Sequence, residues 1–110
     1  VWVGTVEGDT GTIPGATLNH RFVFTLWNDS TFSVSDELTG DLTLTNFAQS
    51  GTWSLEGTTY TFTAVLCASR EHPAGSADAC SGEPMVGTGA GETIIIDSYG
   101  NFGELAITRQ

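Results

Sequence analysis

Lysine is absent from this chain of 110 residues, and its three cationic side chains are all arginines. They are outnumbered by 13 aspartates and glutamates, which gives a formal net charge of -10 at pH 7. Proteins that hold a nucleic-acid backbone or an anionic membrane surface do so with several lysines and arginines. The charge balance therefore predicts an acidic protein that has no nucleic-acid partner.

Long apolar runs and good helix formers are also scarce. No apolar stretch approaches the ~20 residues that span a bilayer, so we expect no membrane insertion. The chain has one methionine, whereas it has 14 glycines and is rich in threonine and aromatic residues. Because β-branched and aromatic side chains fit a pleated surface better than a helix, this composition predicts an all-β protein.

Alternation of apolar and polar residues divides the chain into about eight short strands. Residues 19–27 alternate in this way, and the turn formers of residues 28–30 join them to a second alternating segment. Glu56 and Gly57 mark another hairpin. Short connections pair neighbouring strands antiparallel, which leaves a closed up-and-down barrel or a two-sheet sandwich for a single domain over residues 1–110. We favour the barrel, since closure removes the strand edges that no lysine is present to protect.

The only two cysteines are Cys67 and Cys80, which bracket a loop-like segment. The pair predicts a disulfide, which would stabilise the fold by about 3 kcal/mol, and the alternative is two unconnected buried thiols. A disulfide indicates an oxidising compartment, so the expected location is secreted or periplasmic. The chain begins at Val1 rather than methionine, which is compatible with a removed signal peptide or with a trimmed chain. Only His72 lies near the cysteines, too few ligands for zinc, and no metal site is predicted.

Two segments carry a family resemblance. Residues 24–33 (FTLWNDSTFS) and 50–63 (SGTWSLEGTTYTFT) resemble the small bacterial lipocalin-like (calycin) domains, which repeat an F-x-x-D-x-T-F hairpin and then G-T-W-S-x-x-G-x-x-Y/L-x-F/L. Lipocalins also stack a tryptophan of the first strand on an arginine near the end of the last strand, at the closed end of the barrel. Trp2 and Arg109 occupy the matching positions. The resemblance implies a lipocalin-like barrel.

An eight-stranded barrel is either filled by its own side chains or holds one small ligand. The alternation directs these side chains inward: Phe22, Phe24, Phe32, Val34, Leu42, Leu44, Trp53, Leu55, Tyr60, Phe62, Leu66, Ile94 and Ile96. The predicted ligand-binding residues are His20, Phe22, Phe24, Phe32, Trp53, Tyr60 and Phe62. His20 and Tyr60 would orient a ligand near a barrel mouth, and the alternative is that both are ordinary rim residues. Asp36 and Glu37 are expected in a solvated turn, and Asp97 is expected to face outward.

Three functions fit these features. The first is a secreted lipocalin-like binding protein that holds a small apolar molecule inside the barrel without a cofactor. The second is a cofactor-free cyclase or isomerase that folds a hydrophobic substrate in an enclosed pocket. We favour the binder. No nucleophile-elbow motif accompanies the serines, which argues against a catalytic triad, but a cyclase or isomerase of this kind needs few titratable groups and is not excluded by that absence. The third is a filled barrel that contacts other proteins through its outer surface or through Arg70, Glu71 and His72. The low-charge β surface is compatible with a homodimer.

Overall fold

The structure, a computed structural model, describes residues 1–69, 78–80, 84–99 and 102–110. Within these ranges the chain forms strands and no helix. The strands are β1 (Trp2–Asp9), β2 (Leu18–Leu26), β3 (Thr31–Gly40), β4 (Leu44–Glu56), β5 (Thr59–Ser69), β6 (Asp78–Ala79), β7 (Met85–Ala90), β8 (Thr93–Ile96) and β9 (Leu105–Arg109). The described part accordingly contains no helix long and apolar enough to cross a membrane.

The strands close into an up-and-down barrel. Eight of them pair antiparallel in the cyclic order β1-β2-β3-β4-β5-β7-β8-β9, and β9 pairs back onto β1. The two-residue strand β6 adds to β5 outside this ring. The all-β barrel that the sequence predicts is therefore confirmed.

Both predicted hairpins are present. The β2–β3 hairpin pairs Leu26 with Phe32 across the turn at residues 27–30. The β4–β5 hairpin pairs Glu56 with Thr59, so that Gly57, at a φ of 65°, and one further residue make the turn. These turns set the register that directs alternate side chains into the barrel.

The barrel interior is packed with aromatic rings. The Phe62 ring lies 5.6 Å from the ring of Phe24 and 5.3 Å from that of Phe32, centroid to centroid. Phe22, Phe24 and Phe62 are 0% exposed, and Phe32 is 1% exposed. Ile94, Ile96 and other buried residues complete the same cluster. The interior phenylalanines that the alternation predicts therefore do face inward, and they pack against one another.

A bulge in β5 overturns one inward assignment. Ser50 of β4 faces Leu66, but the next residue, Gly51, faces Ala64, so Val65 is an extra residue in β5. The extra residue reverses the alternation, and Leu66 lies on the outer face, 50% exposed. A Cβ atom at Gly51 would lie 2.0 Å from the Thr63 carbonyl oxygen, so the strands approach too closely for any other residue.

Two further leucines are also not interior residues. Leu42 lies in the connection before β4, and Leu55 lies near the tip of the β4–β5 hairpin. Both are exposed. Leu42 is outside any strand, and Leu55 lies beyond Thr52, the last residue of β4 that pairs with β3.

The two ends of the barrel differ. At one end, the Arg109 guanidinium carbon lies 5.2 Å from the centroid of the Trp2 ring, so the contact that the resemblance implies is present. Trp2 also meets Tyr60 edge to face, at 6.4 Å. We call this the aromatic end. The opposite end of the barrel lies beyond the first residues of β7 and β9 and the last residue of β8. There the connections before β2 and after β8 cover the core.

Cys67 and Cys80 form the predicted disulfide, with 5.2 Å between their Cα atoms. The alternative of two unconnected thiols is therefore wrong. The bond joins β5 to the residue that follows β6, and the Cys80 amide donates a hydrogen bond to the Val65 carbonyl. The disulfide thus fixes the chain beside the bulge in β5.

Candidate functional site

A buried cluster of ionisable side chains lies at the end opposite Trp2. It consists of Asp9 at the end of β1, His20 near the start of β2 and Asp36 in β3, and we call it the charged cluster. The His20 and Asp36 side chains are 0% exposed, whereas that of Asp9 is 16% exposed. The three groups tie three neighbouring strands together.

Both ring nitrogens of His20 face carboxylates. Nδ1 lies 2.9 and 2.8 Å from the two carboxylate oxygens of Asp36, and Nε2 lies 2.6 Å from Oδ2 of Asp9. An ionised carboxylate only accepts hydrogen bonds, so each ring nitrogen must donate to its partner. His20 therefore bridges Asp9 and Asp36 through its two ring nitrogens.

Neighbouring groups fix the cluster in place. Asn46 Nδ2 donates to Asp36 Oδ2 at 2.9 Å, and the Thr12 hydroxyl donates to Asp9 Oδ2. The His20 ring stacks on Phe22 at 5.4 Å and meets Phe102 edge to face at 4.7 Å. Because the His20 and Asp36 side chains are fully buried beside these rings, their contact lies in a low-dielectric environment that strengthens it.

Two acids of this end have altered acidity. Hydrogen bonds from the Thr12 hydroxyl, the Gly11 amide and His20 lower the pKa of Asp9 from 3.8 to about 2. Burial, and then the negative charge of Asp36, raise the pKa of Tyr99. The Tyr99 hydroxyl is buried and has no hydrogen-bond partner among the described residues. Asp9 is therefore ionised, and Tyr99 is neutral, over the ordinary pH range.

The closed cluster is not arranged for acid–base catalysis. Thr12 Oγ1 lies 3.3 Å from His20 Nε2, and Asp36 holds Nδ1, which is superficially the order of a catalytic triad. However, Asp9 lies closer to Nε2, and a nitrogen that donates to Asp9 cannot accept a proton from Thr12. The cluster therefore acts as a structural link in this conformation.

The prediction of a solvated Asp36 is wrong. β3 continues through Gly40, so Asp36 lies in a strand rather than a turn, and it shares the inward face with Phe32, Val34 and Leu38. Strict alternation through β3 is the signal that could have located it. Glu37 and Asp97 do not share its burial.

Sequence reasoning also did not place Asp9, Tyr99 and Phe102 at this end of the barrel. Asp9 is in a segment that reads as a turn, and Tyr99 and Phe102 lie outside any alternating pattern. Their positions depend on how the connections fold back over the core, which strand periodicity does not report.

The structure divides the predicted ligand-binding residues among three levels of the barrel. His20 and Phe22 lie at the charged cluster, Phe24, Phe32 and Phe62 fill the middle, and Trp53 and Tyr60 lie half-buried at the aromatic end. Trp53 stacks on Tyr60 at 6.2 Å, and its indole nitrogen donates to the Trp27 carbonyl. The predicted contact residues Arg70, Glu71 and His72 lie outside the described residues.

A second candidate site is a groove on the outer face of β3, β4 and β5. Ser33 faces Ser50, and Ser50 faces Leu66, so these three side chains share the face opposite the buried Phe32. The groove encloses about 310 Å³. We call it the outer groove, and it is lined by Ser33, Val34, Ser35, Ala48, Gln49, Ser50, Leu66 and Ala68.

Among the described residues, no charged side chain lines the outer groove, although the chain carries 13 acidic residues. Serine hydroxyls and the Gln49 amide can donate and accept hydrogen bonds, and Leu66 supplies an apolar wall. The groove can therefore hold an uncharged molecule that has both apolar and hydrogen-bonding parts.

Among the residues that the structure describes, no group of three or more histidine, cysteine, aspartate or glutamate side chains is arranged to hold a metal ion. Comparison with protein-family models, curated proteins and solved structures finds no match to the chain. The lipocalin-like resemblance accordingly stays a prediction beside the barrel fold.

Proposed function

We propose that this protein is a secreted binding protein that holds an uncharged small molecule in the outer groove. The observation that carries the proposal is a groove of about 310 Å³ whose described lining residues are all uncharged, on a strongly acidic protein. Its volume is at the lower end of the range of small-molecule sites. The Cys67–Cys80 disulfide supports an oxidising compartment for the protein.

The filled interior supports a site on the outer face. A ligand placed among Phe24, Phe32 and Phe62 would have to displace rings that are at most 1% exposed. Removing such packing costs several kcal/mol per ring, since phenylalanine-to-alanine substitutions in cores cost about 3–5 kcal/mol. The outer groove needs no such displacement, because all of its lining residues except the inward-facing Val34 are at least partly exposed.

A titration with small uncharged probes tests the proposal. N-methylacetamide and isopropanol are added to the ¹⁵N-labelled protein, and the amide shifts are followed by NMR. We expect the shifts to concentrate at Ser35, Ala48 and Ala68. Ala48→Trp fills the groove and should abolish them, whereas Ala106→Trp, a matched exposed alanine on β9, should leave them unchanged. Shifts that are scattered over the surface, or that survive Ala48→Trp, would contradict the proposal.

A ligand inside the barrel is the second candidate. The observation that favours it is the Tyr99 hydroxyl, which is buried without a hydrogen-bond partner among the described residues. The Tyr99 ring packs on Phe22 and Phe24. A polar ligand atom beside it would supply that partner. Native mass spectrometry of the purified protein would detect a retained molecule, and an apolar probe that enters the barrel would change the fluorescence of Trp53.

Cyclisation or isomerisation of a hydrophobic substrate depends on the same interior space. Its distinguishing property is turnover, because a binding protein returns its ligand unchanged.

The exposed apolar side chains of Val65 and Leu66, each at least 50% exposed, are compatible with the predicted homodimer.

A further inference from the structure

The connection between β1 and β2 crosses the charged end of the barrel, and we call residues 10–17 the strap. Ile13 and Ala16 of the strap pack on Leu18, Leu38 and Leu44, in a cluster separate from the main core. The strap also carries its own hydrogen bond, from the Ala16 amide to the Ile13 carbonyl at 3.1 Å. This small cluster gives the strap little apolar burial of its own.

The two ends of the strap are held by aspartates. At the far end, Asp41 Oδ2 accepts the Thr17 amide at 2.8 Å, and the Asp41 amide donates to the Thr17 carbonyl. At the near end, Asp9 Oδ1 accepts the Gly11 amide at 2.9 Å while Oδ2 contacts His20. Asp9 is thus the link that joins the start of the strap to the barrel interior.

The chain can pivot beside this link. Gly8 precedes Asp9 with a φ of 70°, and a Cβ atom built on it meets nothing within 4 Å. The main-chain conformation there is one that glycine adopts at little cost. The Gly8 amide donates to Asn19 Oδ1 at 3.1 Å, in an exposed hydrogen bond that a pivot would exchange for one to water.

We propose that the strap is a hinged cover latched by the Asp9–His20 contact, and that its opening uncovers His20 and Asp36 as an accessible histidine–carboxylate pair. When Asp9 withdraws, Nε2 of His20 loses its carboxylate, whereas Nδ1 stays bonded to Asp36. A histidine held in this way at Nδ1, with Nε2 free, has the orientation of a general base. The closed form hides this capacity, which is why the cluster appears purely structural.

The groups around His20 determine what opens the latch. The charged groups that face it are Asp9 from β1 and Asp36 from β3, and Tyr99 from the segment after β8 lies near enough for the Asp36 charge to raise its pKa. Phe22 and Phe102 contribute only ring contacts. Of these two carboxylates, only Asp9 has part of its side chain in solvent. It is also the last residue of β1, where its pairing with Leu18 ends the β1–β2 ladder, so it can move with the strap while Asp36 stays in the ring.

The test compares two aspartates that make similar turns. Asp29 Oδ1 accepts the Thr31 amide, as Asp9 Oδ1 accepts that of Gly11, but Asp29 lies in an exposed turn with no histidine contact. Asp9→Ala and Asp29→Ala therefore each remove a turn aspartate, and only the first removes the latch. Native-state hydrogen exchange is followed at the Ala16 amide of the strap and at the Ile107 amide of the core.

We expect Asp9→Ala to accelerate exchange at Ala16 by roughly fivefold to tenfold, as loss of a partly exposed ion pair implies, with little change at Ile107. His20 should become reactive toward diethyl pyrocarbonate in the same variant, with the modified peptide resolved from that of His72 by mass spectrometry. Asp29→Ala should match the wild type in both measurements. Equal acceleration at Ala16 and Ile107, unchanged exchange at Ala16, or an unreactive His20 would each overturn the proposal.

Discussion

The two ends of the barrel are closed by different physical means. At the aromatic end the strands themselves complete the ring, and Trp2, Tyr60 and Arg109 cover the core with ring and cation–π contacts. At the charged end β7, β8 and β9 do not extend over the core. There Asp9, beside the start of the strap, contacts His20, and His20 contacts Asp36. Apolar packing does not depend on protonation, whereas ion pairs do. Closure of the aromatic end should therefore be independent of pH, whereas closure of the charged end should depend on the charges of its side chains.

The largest effect should come from breaking the buried pair. Asp36→Ala leaves the buried His20 with one carboxylate and leaves the Asn46 amide without the acceptor seen at 2.9 Å. Removing one partner of a buried ion pair costs about 3–5 kcal/mol, so urea denaturation should show a loss of that size. The double variant His20→Leu/Asp36→Leu should recover part of it, since it removes both charges. A loss no larger than that of an exposed substitution would mean that the charged end is not held by this pair.

The next effect depends on pH. The pKa of Asp9 falls from 3.8 to about 2 on folding, so its ionised form stabilises the folded state. This contribution is complete above the unfolded value of 3.8 and is lost as the pH falls through about 2. The free energy of unfolding of Asp9→Ala should therefore lie below that of the wild type at higher pH and converge with it over this interval. A gap that stays constant with pH would show that the carboxylate charge is not the stabilising feature.

A smaller effect of opposite sign is expected at Tyr99. Tyr99→Phe removes a buried hydroxyl that has no partner among the described residues, and it keeps the ring that packs on Phe22 and Phe24. An unsatisfied buried polar group costs about 1–3 kcal/mol, so the thermal midpoint should rise or stay unchanged. Destabilisation would indicate that the hydroxyl contacts a bound molecule, which would favour the interior ligand over the outer groove.

The smallest effect should lie at the aromatic end. Arg109→Ala removes the cation that lies over the Trp2 ring and should cost about 0.5–1 kcal/mol at this exposed position. Arg21→Ala, an exposed arginine on β2, is the control and should change stability by less than about 0.5 kcal/mol. If the two variants were equal, the stacking of Arg109 would not contribute to closing this end.

The barrel could be predicted from local patterns because alternation and turn residues determine strand pairing directly. Phe22, Phe24, Phe32 and Phe62 follow that alternation without interruption. Leu66 does not, because the extra residue Val65 reverses the faces of β5, and a bulge leaves no periodic signal of its own.

The candidate sites were less accessible to sequence reasoning than the fold. Asp9 and Asp36 are 27 positions apart in the chain and meet only through His20. Five of the eight residues that line the outer groove are serines or alanines on three different strands, and in the sequence such residues look like ordinary surface. Both features come from tertiary geometry rather than from local preference.

The side-chain ¹⁵N spectrum of His20 shows directly whether both ring nitrogens of this histidine hold the charged end closed. We expect Nδ1 and Nε2 each to carry a hydrogen that is bonded to the carboxylate it faces. A spectrum in which Nε2 carries no hydrogen would contradict this closure. It would mean that the latch to Asp9 is not formed and that His20 is free to act as a base.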